Sequence, residues 1–142
     1  MLQVEITMKY TDIDSRYNRI IIWGCYGLIA LYSVSLPLPA LSDMEFLTGL
    51  ECLTSFPFAM LGPPWWANLF FFIGLPSLLL GNPFVGFGCG VVATLLSLST
   101  AFYFSLSSLG PGYFAWLSCM VGLTWLAWFD MARPNPDERP VR

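Results

Sequence analysis

The chain has 142 residues, of which 56% are apolar and 11% charged, and its formal net charge is -3. A soluble domain carries roughly a quarter of its residues as charges, so the composition excludes an ordinary water-soluble globule. The weak, scattered acidity excludes a nucleic-acid-binding surface.

Placement of the charges carries the reading further. From Cys52 to Phe129 there is no charged side chain, a stretch no water-facing surface tolerates. In hydrocarbon, backbone polar groups must be satisfied within the protein, which leaves helices or a closed barrel. The unbroken apolar runs lack the alternation of a barrel, so the expected fold class is an all-α membrane protein. Specifically, the sequence predicts a four-transmembrane-helix bundle with a short interfacial helix in the first outer loop.

In chain order, Leu2, Val4, Ile6, Met8 and Tyr10 alternate with Gln3, Glu5, Thr7 and Lys9. This period of two predicts a strand that pairs with a partner, with disorder as the equal alternative. Span one is expected at about 20–36, approached by helical residues from about Asp14 and stopped by Pro37 and Pro39. A cleaved signal peptide ending near Ala40 is the competing reading, disfavoured by acids in its first segment. In the following loop, Ser42 and Glu45 form a capping box flanked by Leu41 and Phe46, which predicts a surface helix from about Asp43 to Ser55.

Span two is expected at about 64–80, opened by Trp65 and Trp66 at the headgroup boundary and kinked at Pro76. Gly81, Asn82 and Pro83 read as a helix stop, an N-cap and a first-turn proline, a tight hairpin into span three at about 84–106. The break at Gly110, Pro111 and Gly112 precedes span four at about 113–132, which carries Trp125 and Trp128 near its far end.

All six bases, Lys9, Arg16, Arg19, Arg133, Arg139 and Arg142, lie outside the spans and near the two ends of the chain. The excess of bases marks the cytoplasmic side, so the expected organisation is a cytoplasmic segment 1–19, a transmembrane domain 20–132 and a cytoplasmic tail 133–142. The expected location is the bacterial inner membrane, with the lipid bilayer itself as the first partner.

Gly86, Gly90, Thr94, Ser97, Ala101, Ser105 and Ser108 recur at helical spacing and make one face of span three small. Helices in lipid associate by close backbone approach, so this face is a docking seam. Span four offers Ala115, Ser118 and Gly122 as a mate. Packing within the bundle, a seam for a partner or second copy, and the lining of a narrow polar pore are all open readings of it.

There is no histidine in the chain, which removes the commonest general base, metal ligand and haem ligand. No cofactor, metal or catalytic residue is expected. Cys25, Cys89 and Cys119 lie in apolar segments and read as small hydrophobes. The candidate polar contacts are Asn68 just inside span two, Glu51 in the outer loop, and Asp130 with Arg133 at the cytoplasmic rim.

Three blocks carry a family resemblance: Gly49, Leu50, Glu51, Cys52, Leu53; Trp65, Trp66, Ala67, Asn68; and Gly112, Tyr113, Phe114, Ala115, Trp116, Leu117, Ser118. From Thr48 onward the chain resembles a family of small bacterial four-helix integral membrane proteins of uncharacterised function. In that family the second block usually continues with proline, where this chain has Leu69. The resemblance implies architecture and no activity. The functional expectation is therefore a non-enzymatic membrane protein that binds a membrane partner, either immunity-like or as an accessory subunit. Alternatives are an oligomeric pore-forming effector and a small subunit of a respiratory or photosynthetic complex.

Overall fold

A computed structural model describes residues 2–41, 48–54, 62–103 and 106–133. Among them the chain is helical, with α1 at Leu2–Ser35, α2 at Gly49–Thr54, α3 at Pro63–Leu79, α4 at Pro83–Tyr103 and α5 at Pro111–Met131. A short 3-10 turn, Leu106–Ser108, precedes α5.

The amino-terminal stretch corrects the strand expectation, because α1 is one helix of 34 residues beginning at Leu2. An isolated strand leaves its backbone groups without partners, whereas extension of an existing helix satisfies each one locally. No glycine or proline interrupts the chain before Gly24, so nothing stops the helix from running through.

Among the described residues two helices are long and apolar enough to cross a membrane, Pro83–Phe102 and Pro111–Met131. Their 20 and 21 residues give lengths of about 30 Å, the thickness of a bilayer's hydrocarbon core. α3 has 17 residues, the lower end of the spanning range.

The hairpin between α3 and α4 forms as its turn chemistry dictates. Gly81 has φ +79, the left-handed conformation that glycine adopts without strain. Its N–H reaches the carbonyl of Leu78 at 3.0 Å, and that of Asn82 reaches Ser77 at 2.9 Å, closing the helix end in a Schellman motif. Asn82 then caps α4, its Oδ1 accepting from the N–H of Val85 at 3.4 Å.

α5 occupies the middle of the arrangement, packing along α4 on one side and α1 on the other, while α3 packs mainly on α4 and meets α5 and α1 less extensively. Phe71, Leu78, Met120 and Leu123 are the largest completely enclosed apolar side chains. Glycines let the backbones close in. A Cβ on Gly90 would lie 2.9 Å from the Cα of Thr124, and one on Gly74 would lie 2.8 Å from the Cβ of Cys89. On the α1 side, Gly24 receives Leu126 and Gly122 receives Leu28.

Candidate functional site

Residues 36–41 leave α1 as an extended strap that crosses the bundle end where α3 and α5 begin. One edge of the strap holds α2: the N–H of Gly49 donates to Leu38 at 3.2 Å and that of Leu50 to Leu36 at 2.9 Å. The other edge holds α5, with Gly110 N–H donating to Ala40 at 2.9 Å and Gly112 N–H to Pro39 at 3.0 Å. The first amides of a helix have no partner of their own, and Gly110 as N-cap offers no side-chain acceptor. Strap carbonyls take that place. The contact is tight enough that a Cβ on Gly112 would sit 2.7 Å from the Leu38 oxygen, and one on Gly110 would collide with the Pro39 carbonyl.

α2 is capped by Thr48 and Glu51 in a reciprocal box. Thr48 N–H donates to Glu51 Oε2 at 2.8 Å, and Glu51 N–H donates to Thr48 Oγ1 at 3.3 Å. Thr48 itself bridges to Pro39, and the described helix begins at Gly49, while the expected start at Asp43 lies outside the described residues. Ser42, Asp43, Glu45 and Phe46 lie outside the described residues.

Under the strap, three helices meet at one side-chain atom. Asn68 Oδ1 on α3 accepts from Nε1 of Trp116 on α5 at 2.7 Å and from the hydroxyl of Tyr32 on α1 at 3.0 Å. The Tyr32 ring stacks on Phe71 at 5.1 Å between centroids and stands edge-on to Phe72 at 5.3 Å. The bond from Tyr113 to α4 continues this belt, its hydroxyl donating to the Ser97 carbonyl at 2.7 Å. Tyr32, Tyr113 and Trp116 were not singled out as contact residues in the sequence. Their signal there is a polar tip on an aromatic ring inside an apolar run, which requires a partner when buried.

The small face of α4 splits between neighbours. Gly86 lies under Leu78 and Ala127, and Gly90 under Thr124. Thr94 and Thr124 share a hydrogen bond between hydroxyls at 3.1 Å. Ser97 is completely buried, and its hydroxyl donates to the Ala93 carbonyl at 2.7 Å. Ala101 is half-buried, and Ser105 lies outside the described residues. The expected mate is corrected: Ser118 is exposed with its hydroxyl on Phe114, and Gly122 faces Leu28 of α1. Thr124, Ala127 and Tyr113 meet α4 in their place, because the rotation of α5 turns the 118–122 face away.

At the opposite end of the bundle, Tyr17 stacks on Phe129 at 5.4 Å, and the Arg133 guanidinium lies 5.6 Å from the Tyr17 ring centre. Arg133 also donates to Asn18 Oδ1 at 3.4 Å. Asp130 is half-buried there, and its backbone carbonyl accepts from the Arg133 N–H at 3.2 Å. Among the described residues no three Cys, Asp or Glu side chains gather as a metal site would require.

No protein-family model, no curated protein and no solved structure matches the chain. Within the chain, the three blocks that carry the resemblance meet at one place. Gly49 abuts the end of α1, Asn68 bonds Trp116, and Gly112 lies on the strap.

Proposed function

We propose that this chain is a non-enzymatic, multi-pass protein of the bacterial inner membrane that acts by binding another membrane protein, either as an immunity-like factor or as an accessory subunit. In this reading α1, α3, α4 and α5 each cross the bilayer, both termini are cytoplasmic and the strap end faces outward. Contact of Arg133 with Tyr17 and Asn18 supports the topology, since it brings the two basic ends of the chain to one end of the bundle.

One observation carries partner binding. Trp23 and Tyr26 lie on the face of α1 turned away from α5, 71% and 61% exposed, with ring centroids 6.2 Å apart. Neither the indole N–H nor the phenol O–H has an acceptor among the described residues. Deeper in the bundle the donors of Tyr32 and Trp116 are matched by Asn68 and that of Tyr113 by Ser97, while the exposed Trp125 and Trp128 on α5 resemble Trp23 in turning their rings outward. A polar tip inside a spanning segment gains from an acceptor on a neighbouring helix. The pore-forming alternative has less support, because a pore lined by Ser97 requires α4 to turn a fully buried residue out of its seam with α5.

Affinity purification in mild detergent should return a second membrane protein. Tyr26→Phe should cut its recovery about threefold to tenfold, matching the loss of one interhelical hydrogen bond. Recovery of this chain alone, at every detergent concentration, would end the reading. Co-migration with a coloured complex on a native gel would assign the accessory-subunit form of it.

A further inference from the structure

We infer that the Asn68 side-chain amide is the donor half of a phospholipid site beneath the strap, taking the ester carbonyl of an outer-leaflet diacyl lipid. The inference rests on the membrane topology proposed above. Its starting point is the orientation of one amide. An indole N–H can only donate, so the Asn68 atom 2.7 Å from Trp116 Nε1 is the oxygen, and the amide cannot be reversed. Tyr32 supplies a second donor to the same oxygen at 3.0 Å, which occupies both of its lone pairs. Nδ2 therefore points away from the Tyr32–Trp116 pair with two hydrogens, and it has no acceptor among the described residues.

Depth selects the acceptor. Asn68 is half-buried and lies three residues along α3 from Trp65, about 4.5 Å farther into the membrane at the rise of a helix. With Trp65 and Trp66 at the headgroup boundary, the amide is level with the glycerol esters, where water is scarce. A partner's transmembrane helix presents backbone carbonyls that already accept one bond in their own helix and can take only a second, as Ser97 does from Tyr113. An ester carbonyl has no donor of its own. The flank suits an acyl chain as well: Phe72, one turn on from Asn68, is 52% exposed and stands edge-on to the Tyr32 ring.

The test titrates the detergent-purified full chain with a diacyl phosphatidylglycerol and with its diether analogue, identical in headgroup and chain length, read by native mass spectrometry. The diacyl lipid should bind about tenfold more tightly, the ester carbonyl being the only group that differs. Asn68→Asp keeps oxygens for Tyr32 and Trp116 but removes the donors, and should bring the diacyl lipid down to the diether level. Should that variant fail to fold, the ester-to-ether comparison on the unaltered chain decides alone. Equal binding of the two lipids overturns the site, as does a crosslink from position 68 to another polypeptide that diacyl lipid does not compete. Release of the chain from membranes by alkaline carbonate would instead remove the topology. Retention in the membrane with equal ester and ether binding removes the lipid site alone.

Discussion

Two donors from two helices converge on the single acceptor oxygen of Asn68, and that side chain therefore holds α1, α3 and α5 in register. Asn68→Ala would leave the Tyr32 hydroxyl and the Trp116 indole without their partner in a region poor in water. An orphaned buried donor costs about 1–3 kcal/mol, so the variant should lose about 2–4 kcal/mol after partial relaxation. Trp116→Phe removes one donor and leaves the acceptor with Tyr32, so it should lose less. Melting in mild detergent, followed by circular dichroism, gives the ranking. If both variants melt with the unaltered chain, Asn68 does not brace the bundle. Asn68 was visible in the sequence as the most polar side chain near a span, but its partners stand 36 and 48 residues away. Spacing within one helix cannot select them. The choice among Tyr and Trp residues is made by packing of α5 against α1, a tertiary outcome.

Elements whose ends are set by local chemistry were legible, and elements set by packing were not. Gly81, Asn82 and Pro83 specify their turn through a left-handed backbone, a side-chain cap and a missing N–H, each acting within a few residues. α4 and α5 follow from uninterrupted apolar runs. The period-two pattern at Leu2–Tyr10 misled because alternation reports burial of a strand face only where a second strand exists to define it. With α1 already nucleated downstream, propagation of the helix competes against nothing. The small face of α4 was legible, but the face of α5 that meets it was not, since either side of α5 offers small residues. Gly90 now distinguishes close approach from mere smallness. Gly90→Ala should destabilise by about 1–3 kcal/mol, because its Cβ would lie 2.9 Å from backbone atoms of Thr124 that cannot rotate aside. Gly88→Ala meets nothing within 4 Å and should be neutral or gain up to about 1 kcal/mol from helix propensity. Thermal denaturation of the two variants in one detergent measures the contrast. Equal effects would mean that α4 and α5 do not pack through Gly90.

For the molecule as a whole, the proposed topology assigns the strap and α2 to one compartment and both termini to the other. A cysteine placed at Leu50, half exposed on α2, should react with a membrane-impermeant maleimide in intact spheroplasts. Amino- and carboxyl-terminal tags should be cleaved by protease only in inverted vesicles. Tags cleaved from opposite sides would break the even number of crossings. Cys25 and Cys119 are enclosed, and Cys52 and Cys89 are replaced by Ser in the Leu50→Cys variant so that the signal comes from position 50 alone.

The closed turn at Gly81 and Asn82 bears on how the chain enters a membrane during synthesis. α3 is short for a self-sufficient insertion signal, carries Pro76 in its interior and is followed almost at once by the longer, uninterrupted α4. In the proposed topology, with so little chain between them, the translocon would meet α3 and α4 as one helical hairpin before either can partition alone. In the proposed four-span topology the α4 segment would thereby recruit its shorter predecessor into the bilayer. A lengthened linker at this position would uncouple the pair and leave α3 to be sorted on its own hydrophobicity.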